Sequence, residues 1–310
     1  MKWGVIISNK KVFECSNCGY QTIKWAGCCP DCSKWNTFEE REISIKNKVK
    51  TPIKNRDRKE PVRLKGVEVS RSNRIVTSIN EFNRAMGGGI VRDSVTIVSA
   101  KPGAGKSTLL LQVADDIAGQ GYKVLYASGE ESESQLKNRA DRLFEVINNN
   151  IWVLSDLSME NVLHTTLKID EDLIIIDSIQ TFVSDEYPGS RAGSPVQTME
   201  CANKLVKISK GSSRPRAVIM VCQMNKSEEL AGLRALEHLV DTVLIIEGEN
   251  GEELRGLSVL KNRFGSTWER GFFLMSDTGM LSIDNPSQFF MTKREKGDLF
   301  PGNVLTVIKE

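Results

Sequence analysis

Residues 94–112, Ser-Val-Thr-Ile-Val-Ser-Ala-Lys-Pro-Gly-Ala-Gly-Lys-Ser-Thr-Leu-Leu-Leu-Gln, constrain the chain most, because they read as a buried strand, a glycine loop and a helix start in one unbroken run. Gly103 and Gly105 tolerate backbone angles closed to other residues, so successive N–H groups around Ala104 can turn inward on a phosphate at a helix N-terminus. Lys106 adds a point charge for the β- and γ-phosphates, Ser107 offers a hydroxyl to Mg²⁺, and Thr108 completes the set assigned to the nucleotide. The pattern G-x-x-x-x-G-K-[ST] departs in one place, where Ala100 stands for the first glycine. That position matters least for phosphate contact. The stretch predicts an ATP site.

An alternating order follows. A helix over Leu109 to Ala118, stopped by Gly119 to Gly121, leads to a strand Lys123 to Ser128 with Gly129-Glu130-Glu131-Ser132 at its end. That strand–helix–strand unit predicts an α/β fold with a mostly parallel sheet flanked by helices. Ligands in such sheets sit at the carboxyl ends of the strands, which brings Glu130 or Glu131 beside the γ-phosphate. Glu130 is assigned as base for the attacking water. A capping charge for the helix starting near Ser132 accounts for only one of the two glutamates.

A helix over Gln135 to Phe144, a strand Ile151 to Leu154 and a helix near Met159 to Leu167 lead to Leu173-Ile174-Ile175-Ile176-Asp177-Ser178. Asp177, ending a fully apolar strand, is expected to hold Mg²⁺ together with Ser107. The polar loop Ser184 to Pro195 carries Arg191, a candidate for contact with a phosphodiester backbone. Next comes a helix over Gln197 to Lys210, with Lys204, Lys207 and Lys210 spaced to share one face. The strand Ala217 to Cys222 then ends in Gln223, placed to contact the γ-phosphate, and Lys226 and Arg234 just beyond are further DNA candidates. Cys201 and Cys222 fall in a helix and a buried strand and are expected to be quiet core residues. His164 and His238 lack ligand spacing and are expected to pack or cap. Upstream, Thr77 to Ile90 predicts a short capped helix that ends at Gly87-Gly88-Gly89.

Cysteine usage marks a second module. Five of the seven cysteines lie within Cys15 to Cys32. The pairs Cys15-x-x-Cys18 and Cys29-x-x-Cys32 can each aim two thiolates at one tetrahedral Zn²⁺, and Cys29 rather than Cys28 keeps the two-residue gap to Cys32. Trp25, Trp35 and Phe38 are expected to form the small apolar shell around the metal. Between Arg41 and Lys65 the composition shifts to a basic linker holding Lys46, Lys48, Lys50, Lys54, Arg56, Arg58 and Lys59. The formal net charge of +2 names no partner by itself, so a nucleic-acid reading has to rest on such local clusters. No long apolar run or signal-peptide pattern is present, and the expectation is a cytoplasmic protein that does not engage a membrane.

Several phrases together resemble the bacterial RadA (Sms) family of DNA repair and recombination ATPases. They are Cys15-x-x-Cys18-Gly19-Tyr20, then Lys24-Trp25-x-Gly27-x-Cys29-Pro30-x-Cys32-x-x-Trp35, Ser128-Gly129-Glu130-Glu131-Ser132, and Lys261-Asn262-Arg263-Phe264-Gly265. Leu236 to Val243 and Asn285-Pro286-Ser287 extend the likeness, which runs from about Val12 to Phe290. The resemblance implies a RecA-like P-loop ATPase core behind an N-terminal C4 zinc ribbon. It divides the chain into a ribbon at 1–40, a linker at 41–64, an ATPase domain at 65–290 and a tail at 291–310. It also implies a homo-oligomeric, hexameric ring on single-stranded DNA that drives branch migration of recombination intermediates, with a RecA-type recombinase as a further partner. Lys261 and Arg263 would then serve the ATP of a neighbouring subunit. Family members continue into a Lon-protease-like domain, of which Lys293 to Glu310 would be at most the first strand. They also carry His-Val-Thr-Lys where Gln223-Met224-Asn225-Lys226 stands. Two other functions remain open on the residues: a replicative-type helicase accessory, and a nucleotide-gated module that binds DNA or a recombinase.

Overall fold

Strands without a polar face need cover on both sides, and that requirement shapes most of this chain. The computed structural model describes residues 10–17, 21–22, 24–30, 32–43, 61, 63–66, 74–187, 189–211, 214–223, 236–248 and 251–290. Cys18, Lys226, Arg234, most of the basic linker and the tail 291–310 lie outside the described residues. The chain divides into two compact units, Met1–Val69 and Ser70–Glu310.

The first unit holds β1 (Lys10–Cys15), β2 (Gln21–Thr22) and β3 (Phe38–Ile43), an antiparallel sheet in the order β2-β1-β3 with Cys15 opposite Phe38. The second begins with β4 (Arg74–Ile75), α1 (Asn80–Ala85) and β5 (Ile90–Val91). It continues through β6 (Val95–Ala100), α2 (Lys106–Gly119), β7 (Val124–Ser128), α3 (Glu133–Leu143) and β8 (Ile151–Ser155). Next come α4 (Met159–Ile169), β9 (Leu173–Asp177), α5 (Pro195–Gly211) and β10 (Ala217–Gln223). Last are β11 (Thr242–Glu247), β12 (Leu254–Asn262), β13 (Arg270–Ser276), β14 (Gly279–Ser282) and α6 (Pro286–Phe290). The helix expected between Thr77 and Ile90 is present as α1, but its N-cap, Ile79, supplies no side-chain bond. Asn83 closes the turn instead, accepting from the Thr77 N–H at 3.0 Å and donating to the Thr77 carbonyl at 2.6 Å.

Nine strands form the main sheet, in the order β14-β13-β12-β11-β6-β10-β9-β7-β8. The run from β11 to β8 is parallel throughout, as the alternating sequence pattern predicts, and β12 to β14 extend it antiparallel. Alternate residues enter opposite cores. Val98, Tyr126, Ile175, Ile219 and Leu244 pack with Leu109, Val113 and Ile117 of α2, while Ile97, Leu125, Ile174, Met220 and Val243 pack with Val162 of α4 and Leu205 of α5. Both faces of β6, β7 and β9 are buried as a result. Among the described residues no helix is long and apolar enough to cross a membrane.

Register decides what meets at each edge. At the carboxyl edge Ala100 pairs with Gln223, and Ser128 with Asp177. The residue before β11, Asp241, lies at the opposite edge, where its N–H donates to the Val95 carbonyl at 2.8 Å.

Candidate functional site

The turn from β6 into α2 needs two left-handed residues, and both are glycines: Gly103 has φ 80° and Gly105, the helix N-cap, φ 97°. A side chain at Gly105 would be strained at that angle and would also meet Met275 Cε at 2.4 Å. With no side chain capping α2, its first N–H groups face the loop, the arrangement that suits an anion. Lys106 is folded back, its Nζ donating to the Ala100 and Lys101 carbonyls at 3.1 and 3.2 Å. Burial lowers its pKa, and the nearby charges of Asp177 and Glu130 oppose that shift.

Ser107, on the first turn of α2, donates its hydroxyl to Asp177 Oδ2 at 2.6 Å. Tyr126, fully buried on β7, donates to the same oxygen at 2.7 Å. Burial first, then the Asp177 charge, hold the Tyr126 phenol well above its ordinary pKa. Glu130, just past β7, accepts from Ser178 Oγ at 2.5 Å and from Gln223 Nε2 at 2.7 Å. Gln180 braces that end of β10, since its amide donates to the Gln223 carbonyl at 3.2 Å and accepts from the Gln223 N–H at 3.3 Å. Phosphate loop, hydroxyl–carboxylate pair, glutamate and glutamine thus share one edge. Glu131 turns away and takes both Nη atoms of Arg139 at 2.7 Å. The cap of α3 comes from Ser132 and Gln135, paired reciprocally, so neither glutamate serves as cap.

Lys261 and Arg263 occupy the other edge. The six residues of β6, at about 3.3 Å each, separate the two edges by roughly 17 Å. Lys261 Nζ donates to the Glu237 carbonyl and, at 2.9 Å, to that of Val240; burial first, then the Arg263 charge, lower its pKa. Arg263 is half exposed and reaches Asp241 Oδ1 at 3.1 Å, an oxygen that Lys210 Nζ also contacts at 2.6 Å. Lys204 pairs with Glu160 at 2.5 Å and Glu186 at 3.3 Å, so Lys204 and Lys210 are tied to acids on different elements and do not form an open basic face. Arg191 is exposed in a loop tied down by Gln197, whose Nε2 donates to the Tyr187 and Ser190 carbonyls at 2.8 and 3.1 Å. Burial pushes the Cys201 and Cys222 thiols up to about 12 and about 11, consistent with inert core groups. His164 and His238 are exposed.

In the first unit the ligand atoms of Cys15, Cys29 and Cys32 lie within 4.8 Å of one another, and the Cys15 and Cys32 sulfurs are 3.7 Å apart. A tetrahedral centre with metal–sulfur bonds of about 2.3 Å spaces its sulfurs by about 3.8 Å, so the cluster fits Zn²⁺. Cys28 stands apart, with its thiol toward the Cys29 carbonyl at 3.8 Å. Trp25 and Trp35 correct the sequence expectation: they are 60% and 72% exposed and do not form the shell around the metal.

Residues 58–229 match the family described as AAA domain. The chain belongs to the AAA-domain family. Residues 13–40 match a second family, described as rubredoxin metal binding domain. This AAA-domain chain is also similar to the DNA repair protein RadA of Bacillus subtilis, 40% identical over 93% of the chain and 63% of the relative. It is 40% identical to RadA of Campylobacter jejuni over 97% of the chain and 66% of the relative, and 41% identical to RadA of Streptococcus pyogenes over 96% and 65%. The chain therefore spans just under two thirds of the length of these curated relatives.

Three residues of the AAA-domain site escaped the sequence reading: Tyr126, Ser178 and Gln180. Tyr126 left a usable signal, because a lone phenol in an apolar strand needs a buried acceptor, and the apolar strand Leu173–Asp177 ends in one. Ser178 and Gln180 gave none, since their partners come from other strands.

Proposed function

We propose that the chain is a DNA-dependent ATPase acting in DNA repair, which binds single-stranded DNA and drives branch migration as a homo-oligomeric ring. The observation that supports this most is the meeting of the α2 N-terminus, the Ser107–Asp177 pair and Glu130 at one sheet edge. In this reading the backbone of Gly103, Ala104, Gly105, Ser107 and Thr108 holds the β-phosphate, and Lys106 leaves its two loop carbonyls for the phosphate oxygens. Ser107 and Asp177 supply the hard oxygen donors that suit Mg²⁺, which when bound neutralises phosphate charge. Glu130 takes the proton of the attacking water, held ready by Ser178 and Gln223. Arg263, with Lys261 beside it, is offered to a neighbouring copy's nucleotide. Arg191, Lys226 and Arg234 are the DNA contacts. The functional division is a zinc ribbon at 1–40, a linker at 41–64, an ATPase domain at 65–290 and a tail at 291–310.

ATP hydrolysis measured with and without single-stranded DNA at fixed salt tests the proposal, and several-fold stimulation is expected. A rate unmoved by DNA would favour the nucleotide-gated binding module. Tyr126→Phe removes one of two hydroxyls holding Asp177 and is expected to raise the Mg²⁺ needed for half-maximal turnover by about tenfold, in the range for partners that orient a metal ligand. The same displacement should appear in the Mg²⁺ dependence of ATP-induced thermal stabilisation, which does not require turnover.

A further inference from the structure

The cysteine-bearing unit buries Cys15 and Cys29 and exposes Trp25 and Trp35. Exposed indoles of this size mark a contact surface, because a metal-held module has no need of them outside its core. Both rings come to one spot: a Cβ on Gly27 would lie 3.6 Å from Trp35 Cζ3 and 3.7 Å from Trp25 Cη2. Backbone pairing holds the two segments side by side, through the Asn36 N–H donating to the Gly27 carbonyl at 2.8 Å and an antiparallel bridge between Cys28 and Trp35. Each indole directly follows an exposed lysine, in Lys24-Trp25 and Lys34-Trp35. From 24 to 38 the sequence carries Lys24 and Lys34 against Asp31 alone, and the stretch from Lys46 to Lys59 adds seven basic residues against Asp57 alone.

We infer that Trp25 and Trp35 form a stacking platform for unpaired bases of a single strand, with Lys24 and Lys34 along its phosphates. The inference rests on the proposed role in DNA binding and assigns part of that binding to the ribbon. Every base presents a π-face, so stacking on indoles is strong without reading sequence, and lysines beside the rings track the backbone. A protein partner could also cover two tryptophans. The cations paired with the rings, and the basic excess of the stretch from Lys46 to Lys59, favour a polyanion.

The test uses the full chain, a fluorescent oligo-dT and no nucleotide, with zinc content measured in each variant. Wild type should bind with quenched tryptophan emission. Trp25→Leu and Trp35→Leu, which keep apolar bulk without a π-face, should each weaken binding by about tenfold, and Trp25→Phe and Trp35→Phe by no more than about threefold. The leucine variants should keep the wild-type salt slope, whereas Lys24→Ala and Lys34→Ala should each lower it by about 0.7. Leucine variants that bind like wild type overturn the platform and leave the DNA role standing. The platform also falls if they lose only the capture of a RecA-type protein. A wild-type chain that does not bind oligo-dT at all overturns the DNA role together with the platform.

Discussion

Replacing Arg263 with alanine is expected to cut ATP turnover by about 10³-fold or more, the size found where an arginine stabilises a transferring phosphoryl group, with nucleotide affinity little changed. Arg263 stands across the sheet from its own phosphate loop, so the proposed effect is on the nucleotide of another copy. A purely structural cause is separable. Asp241 is buried and keeps Lys210 at 2.6 Å and the Val95 N–H at 3.0 Å when Arg263 is gone. Thermal stability should therefore hold while turnover falls. Arg263→Lys keeps the charge without the planar fork and should recover only a small part of the rate.

Glu130→Gln is the second large effect. Glutamine can still accept from Ser178 and Gln223 but cannot take a proton, so hydrolysis should drop by about 10²–10⁴-fold while ATP still binds. Glu131→Gln provides the contrast. Glu131 is committed to Arg139, and its substitution should act on the stability of the α3 region, leaving most of the turnover in place. Stopped-assay phosphate release and equilibrium nucleotide binding, measured on both variants, separate these outcomes.

The nucleotide-site region was legible because its signals are local. An apolar strand, two glycines and a Lys-Ser pair each demand one conformation, and an acid ending the buried run Leu173–Asp177 has few places to go in a parallel sheet. Glu130 and Glu131 looked alike in sequence. They separate only because Arg139, two turns into α3, comes back to Glu131, a pairing set by the position of the helix and not by spacing. The antiparallel extension from β12 to β14 was not read from the chain, since nothing local says on which side of β11 a strand will add. Trp25 and Trp35 were misplaced by a rule that holds for larger domains, where aromatic rings fill the core; sulfur ligands do that work in a module of this size. Lys204 and Lys210 shared a helical period and still found acids on separate elements.

ATP is expected to be hydrolysed where the phosphate loop of one copy meets Arg263 of another. Mixing Lys106→Ala chains, which lack the grip but keep Arg263, with Arg263→Ala chains, which keep the grip, tests it most directly. Each variant alone should be nearly inactive, and the mixture should regain a substantial fraction of wild-type ATP turnover. A mixture no more active than its two components, from variants shown to co-assemble, would rule out a site shared between copies.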